Sequence, residues 1–282
     1  MTTSDFSKFN GRLEVQGRLI AQTPLQIGAG EADDMFGADL SVVKDAFGRP
    51  YIPGSSFKGV LRSYLESLLR AIDERLACLC VTDQPEHSCP TPQQNALLKA
   101  RAETLVKERS EINQDNVMDY IYLEDTCRVC QVFGANGLAS KVIIPDMAVD
   151  EATWAGHYQI RHGVSIDRDT GTQVSGRLFN TEAVPTGTAF HCRVVIENGS
   201  PADQGLVLLG LKAFEHSLVT LGGSASRGLG QVKLEIDSCV EVPADPAGLI
   251  DFLTGGMGVE IDDTGRKVKI AALREELEVY GA

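Results

Sequence analysis

Five cysteines crowd one stretch of the chain: Cys78, Cys80, Cys89, Cys127 and Cys130, with His87 among them. The spacing Cys127-x-x-Cys130 lets two thiolates reach one ion from a single tight turn, and a structural zinc takes four such ligands. Six candidates are present. The set read as the zinc site is Cys80, Cys89, Cys127 and Cys130, with Cys78 and His87 as alternates. The stretch is short and polar, so a metal would supply the staple its small core lacks. Reduced, buried cysteines around one turn are the plainer alternative. Cys192 and Cys239 fall in strand-like segments and read as core residues. Seven cysteines are an odd number in a chain without secretory features, which argues against a disulfide framework.

Two segments could hold an anion. In the first, Pro53-Gly54-Ser55-Ser56-Phe57-Lys58-Gly59 leads into an apolar-faced helix. A helix N-terminus presents unpaired N–H groups and favours negative charge, and Ser55 or Ser56 could cap it. Lys58 and Arg62 are one helical turn apart and share a face. Together they would clamp a phosphate or an RNA backbone, although the spacing is not that of a phosphate-binding loop of nucleotide hydrolases. The second segment, residues 222–230, sets Gly222, Gly223, Gly228 and Gly230 and two serines, Ser224 and Ser226, around Arg227. So many glycines let a backbone approach a ligand closely. The plainer readings are a capped helix with two solvated cations, and a flexible turn.

A fourth place is the acidic loop 31–39, which ends at Asp39. A short strand-like segment follows and would hold Asp39 more rigidly than Asp33 or Asp34. A fixed carboxylate beside bound RNA could coordinate Mg²⁺ or orient a 2′-hydroxyl towards the adjacent phosphate. A solvated acidic loop is the alternative. His157 and His162, at the start of a polar stretch, read as surface residues. No serine or cysteine nucleophile signature is present.

The elements that must position these groups follow from the apolar pattern. Residues 11–22 alternate and read as a strand. Residues 55–76 carry Leu61, Leu65, Leu68, Leu69 and Ile72 on one helical face. A charged helix follows at 94–112, inside an insertion at 76–131. Strands are expected at 42–43, 141–147, 188–196 and 228–240. Residues 157–185 read as a long hairpin with a mobile tip. A second apolar helix is expected at 206–221, capped by Gly222-Gly223, and a tail at 243–282 ends in a helix at 270–280. Strand, helix, strands, helix, strand is close to the split β-α-β plan, an α+β, ferredoxin-like arrangement.

Composition sets limits. The chain has 282 residues, 43% hydrophobic and 23% charged, as ordinary globular proteins do. No apolar run approaches the ~20 residues of a membrane span, and the start lacks a signal-peptide pattern, so a cytoplasmic location and no membrane partner are expected. The net charge is −13, from 26 Lys+Arg against 39 Asp+Glu. Phosphate binding is driven by cations, so this sum argues against nucleic acid unless the basic groups are gathered locally. The 53–62 and 222–233 segments do gather Lys58, Arg62, Arg227 and Lys233 with no acid between them.

Taken together, the chain resembles the RAMP superfamily of CRISPR-associated proteins, and within it the repeated backbone subunit of type III effector complexes. The matching stretches are 25–30 (LQIGAG), 39–45 (DLSVVKD), 50–62 (PYIPGSSFKGVLR), 127–134 (CRVCQVFG) and the glycine-rich 222–230. The resemblance spans about 11–240 and implies a single domain over 1–282. It implies a modified ferredoxin-like, RRM-related core that binds guide RNA. Contacts would come from Gly54, Ser55, Ser56, Lys58, Arg62, Arg168, Gly223, Ser226, Arg227 and Gly228. The hairpin 157–185 would be the family's thumb, with Ile166, Arg168 and Phe179 at its tip or flanks. The resemblance places the catalytic role at Asp39, which keeps the family's Asp-x5-Asp spacing to Asp45, and implies cleavage of single-stranded target RNA with Mg or Mn. It implies as partners guide RNA, target RNA and other CRISPR effector subunits, including related backbone copies. After the aspartate this chain has Leu40-Ser41 where many relatives carry Ser-Pro. A non-catalytic guide-binding scaffold is the second reading, and a guide-processing endoribonuclease using His and Tyr the third.

Overall fold

The computed structural model describes residues 8–28, 40–79, 88–108, 126–256 and 258–280. Its centre is a five-stranded antiparallel sheet. Strand β1 (Arg12–Ala21) buries Leu13, Val15, Leu19 and Ala21, the alternation expected of a strand with one covered face. After it come β2 (Tyr51–Ile52) and the long helix α1 (Gly54–Ile72). Next are α2 (Pro92–Glu108), the short α3 (Arg128–Phe133), β3 (Val142–Ile143) and β4 (Met147–Ala148). The hairpin strands β5 (Gln159–Ile166) and β6 (Gln173–Ala183) lead to β7 (Ala189–Glu197) and α4 (Pro201–Glu215). The chain closes with β8 (Val232–Val242), α5 (Pro246–Leu253), β9 (Val259–Glu260) and α6 (Asp263–Glu278).

The main sheet has the order β3-β7-β1-β8-β9, every pair antiparallel. β1 runs its whole length against both β7 and β8, with a bulge at Gln16/Gly17 in its register with β8. α1 contributes Phe57, Leu61, Leu65 and Leu69 to the core, one residue per turn, and Phe57 stacks on Phe214 of α4 with centroids 4.4 Å apart. Full burial of such side chains contributes roughly 1.5–3 kcal/mol each, so this contact ties α1 to α4.

Several boundaries differ from the pattern reading, each for a local reason. α4 begins at Pro201, not near Leu206, because Ser200 and Asp203 form a capping box: Asp203 N–H donates to Ser200 Oγ (3.1 Å) and Ser200 N–H to Asp203 Oδ2 (2.9 Å). It ends at His216, with Ser217 at φ 53°, so Gly222-Gly223 do not cap it. Val219 and Leu221 are buried from extended chain instead. Residues 42–43 form no named strand; Val42 makes an isolated bridge to Gly28. α6 starts at Asp263 because Asp262 caps it, accepting from Gly265 N–H at 2.7 Å.

β5 and β6 pair only with each other as named strands and project from the body. The turn joining them is tied by Asp167, whose N–H donates to Thr172 O (2.8 Å) and whose carboxylate accepts from Asp169 and Thr170 N–H. At the hairpin's base Leu25 bridges Val184 and Leu40 bridges Thr181.

Candidate functional site

Four thiols converge. The Sγ atoms of Cys78, Cys89, Cys127 and Cys130 all lie within 4.8 Å of one another, and those of Cys78 and Cys130 are 3.5 Å apart. Four sulfurs at about 2.3 Å from one tetrahedral zinc stand about 3.8 Å apart, so the donor set fits that ion. Two backbone N–H groups already point at sulfur: Cys78 N–H to Cys127 Sγ (3.4 Å) and Cys127 N–H to Cys89 Sγ (3.0 Å). Arg62 Nη2 donates to Cys130 Sγ at 3.2 Å. The thiols of Cys130, Cys78 and Cys89 around it hold Cys127 far below the ordinary thiol range, while its own negative sulfur pushes Cys130 up. Four thiols so placed match the donor set of a structural zinc.

Cys78, an alternate in the sequence reading, therefore joins Cys89, Cys127 and Cys130. Cys80 and His87 lie outside the described residues. Cys192 and Cys239 sit buried in β7 and β8, and burial pushes their thiols up to about 12 and about 11, as suits inert core residues.

The N-terminus of α1 is built differently from the cap expected at Ser55 or Ser56. Its N-cap is Pro53, without a side-chain bond, and Gly54 N–H donates to Asp146 Oδ1 at 2.8 Å. A Cβ on Gly54 would stand 1.9 Å from Ile144 O, so only glycine lets the helix end seat against this segment. Lys58 Nζ donates to Ser140 Oγ (2.7 Å) and Val142 O (2.9 Å). Burial, with a smaller contribution from Arg62, lowers its pKa. Arg62 donates to Glu66 Oε1 (2.8 Å) and Gly134 O (3.0 Å) besides Cys130. The two cations do share a face, but it is packed on 134–142, and both bond to protein.

The glycine-rich loop is more open. Gly222 takes φ +83°, and a Cβ there would meet Gln26 O at 2.1 Å; Gly223 N–H donates to that same oxygen at 2.8 Å. The loop is thus pinned to the end of the first strand's connection, and a single turn of 3₁₀ helix at Ala225–Arg227 lifts Ser226, Arg227 and Gly228 into solvent. Arg227 lies over the Phe179 ring of β6, 5.3 Å from its centroid, so loop and hairpin meet. Phe179 in turn rests on Gly163, across the β5–β6 pair. Arg168 is exposed in the turn between β5 and β6.

Asp39 lies outside the described residues, but both sides of its loop are anchored. Gly28 bridges Val42, and Leu40 N–H donates to Asn180 O at 3.2 Å while Glu182 N–H donates to Leu40 O at 3.0 Å. Glu182 accepts from Val42 N–H (3.0 Å) and Lys44 Nζ (2.8 Å). The residue after Asp39 is therefore fixed at the base of the hairpin.

The pattern reading also passed over a buried charge cluster. Asp203 accepts from Lys141 Nζ at 2.8 Å and from Arg128 Nη1, and Arg128 also pairs with Glu276 of α6. Burial opposes ionisation of Asp203, but the charges of Arg128 and Lys141 outweigh it and hold the carboxyl below its usual range. Ser200-x-x-Asp203 is a legible capping signal; its ion partners come from distant parts of the chain. Arg128 lies between Cys127 and Cys130, so this cluster ties the thiol group to α4 and the C-terminal helix.

Antiparallel sheet, projecting hairpin and glycine-rich loop are the setting in which comparison with known proteins becomes informative. The family model for the RAMP superfamily matches residues 18–233, and the chain belongs to that superfamily. It is similar to the CRISPR system Cms endoribonuclease Csm3 of Methanocaldococcus jannaschii, 26% identical over 236 residues, covering 79% of this chain and 78% of the relative. It is similar also to the Csm3 of Methanothermobacter thermautotrophicus, 22% identical over 265 residues, covering 84% and 89%. A shorter match, 45% over 67 residues and 23% of this chain, is to the Csm3 of Mycobacterium tuberculosis.

Proposed function

We propose that this chain is the backbone subunit of a type III CRISPR ribonucleoprotein, binding guide RNA and cleaving complementary target RNA. The observation that carries this reading is the likeness along about four-fifths of the chain to proteins named endoribonuclease Csm3, within a superfamily to which the chain belongs. The order β3-β7-β1-β8, with α1 after β1 and α4 after β7, supports a ferredoxin-like core. On it, 157–185 acts as the thumb, 76–131 as a zinc-stapled insertion and 243–282 as a tail of one domain. Asp39, with Mg or Mn, is the catalytic group. Held there by Asp39, a divalent ion would supply positive charge where negative charge develops on the phosphate.

Guide contacts are assigned to Gly54, Ser55, Ser56, Lys58, Arg62, Arg168, Gly223, Ser226, Arg227 and Gly228. Exposure favours Arg168 and Arg227 as the phosphate contacts, whereas Lys58 and Arg62 serve first to hold α1 on 134–142. Zinc at Cys78, Cys89, Cys127 and Cys130 is structural. The other partners are CRISPR effector subunits, including related backbone copies, in the cytoplasm. Among the described residues no helix is long and apolar enough to cross a membrane.

The test is cleavage of labelled target by the full chain assembled with guide and partner subunits. Asp39→Ala is expected to leave assembly and RNA affinity intact and to abolish cleavage. Undiminished cleavage by that variant refutes the catalytic assignment, and intact target under wild-type protein with Mg²⁺ or Mn²⁺ favours the scaffold reading.

A further inference from the structure

We propose that His162 is a catalytic residue of the RNA cleavage, its Nε2 taking the proton from the 2′-hydroxyl that attacks the scissile phosphate. This rests on the RNA-cleaving function proposed above. The β5–β6 register sets His162 directly opposite Asn180, and opposed residues share a face. His162 Nδ1 stands 2.7 Å from Asn180 Oδ1. An amide oxygen only accepts, so Nδ1 is the donor in this pairing, and in the neutral ring Nε2 carries the lone pair a base needs. The ring is exposed, so Nε2 is open to a ligand.

The surroundings suit a ribose and its phosphate. Asn180 O also accepts the N–H of Leu40, which runs along the outer edge of β6 in a parallel bridge to Thr181. His162 and Leu40 thus stand two strand spacings apart, about 10 Å, the span of one nucleotide's sugar and phosphate. Ile160 and Val164 share the His162 face by alternation and are 49% and 44% exposed, an apolar rim for sugar and base. Among the described residues the charged and titratable neighbours are few. Glu182, on the same face, is neutralised by Lys44, which lies 4.4 Å from the Tyr158 ring centroid. The Tyr158 hydroxyl donates to Gly48 O. Arg161 alternates to the opposite face.

In the step itself the 2′-oxygen forms its bond to phosphorus as its proton passes to Nε2. The P–O5′ bond breaks with its electron pair on O5′, which takes a proton from water, and the imidazolium returns its proton to solvent. The products are a 2′,3′-cyclic phosphate and a 5′-hydroxyl, with no redox change.

Single-turnover cleavage by the assembled full chain tests this. His162→Ala is expected to slow cleavage about 100-fold or more with RNA affinity changed less than about twofold, and added imidazole should restore a large part of the rate. Asn180→Ala, which frees the ring without removing it, should cost a smaller factor. A substrate with sulfur at the bridging 5′ position leaves without a proton, so a lost base keeps His162→Ala slow on it. Full-rate cleavage by His162→Ala, a loss that imidazole does not restore, or a defect that vanishes on the 5′-thio substrate each overturns the assignment and leaves the RNA-cleaving function standing. Wild-type protein that does not cleave overturns both.

Discussion

Replacing Cys78 should remove the zinc, and replacing Cys80 should not. The prediction separates two residues that sequence spacing treats as equals. Cys78 is placed at the cluster by its surroundings: its carbonyl accepts from Arg70 Nη1 at 2.8 Å, and its N–H donates to Cys127 Sγ. Zinc there would join Cys78 to Cys127 across 49 residues of chain. By loop-closure entropy a cross-link of that span is worth about 4 kcal/mol. The same figure follows for a ligand present at about a thousandfold its Kd. For a chain of this size that corresponds to a fall in Tm of roughly 8–16 °C on complete metal removal.

The assay is zinc content of purified full-length protein together with melting curves with and without a strong chelator. Wild-type protein and Cys80→Ser should hold one zinc per chain and lose heat stability when it is stripped. Cys78→Ser should hold none and melt near the stripped wild type, with no response to chelator. If Cys80→Ser loses zinc while Cys78→Ser keeps it, the convergence of these four sulfurs is not the binding set. If no variant contains zinc, the cluster is a group of reduced thiols.

Further outcomes are expected for the buried charge cluster and for RNA binding. Asp203→Ala leaves Arg128 and Lys141 buried without their carboxylate and should cost about 3–5 kcal/mol in urea unfolding; a loss under ~1 kcal/mol would show that the cluster is not desolvated. Because the folded carboxyl titrates below its ordinary value of 3.8, its contribution is complete above that pH and is lost as pH falls further, so wild type and Asp203→Asn should converge in stability only in that acid range. For RNA binding, Arg227→Ala should lower the slope of log affinity against log salt by about one, whereas Lys58→Ala should act mainly on stability, since its ammonium bonds to Ser140 and Val142. Equal salt slopes for Arg227→Ala and wild type would take that guanidinium off the phosphate backbone.

How far the sequence could be read depends on how local each signal is. β1 is visible because Leu13, Val15 and Leu19 alternate, and α1 because Phe57, Leu61, Leu65 and Leu69 recur once per turn. The start of α4 was misplaced because the apolar run at Leu206 is louder than the capping box at Ser200–Asp203. The cysteines announce themselves by Cys127-x-x-Cys130, yet the fourth sulfur is chosen by Arg70 and the backbone after α1, which spacing does not report. Lys58 and Arg62 show the limit most plainly. Their shared face follows from helical period, but what covers it, Gly134 to Val142, arrives more than 70 residues later.

That placement changes what the −13 charge means. A sum over the chain counts Lys58, Arg62, Arg128, Lys141 and Lys269 as basic groups available to RNA, but each is turned into the protein against a carbonyl, thiol or carboxylate. Cations left facing solvent on the hairpin and its neighbouring loop include Arg161, Arg168 and Arg227. On a chain of net charge −13, which repels a phosphate backbone, these few groups are where the proposed RNA contact would form. Arg227 stands where the glycine-rich loop meets β6, the strand whose base anchors Leu40, the residue after Asp39. The thiol cluster is joined to α1 through Arg62, whose guanidinium donates to Cys130 Sγ and Gly134 O, while the N-terminus of that helix abuts 144–146.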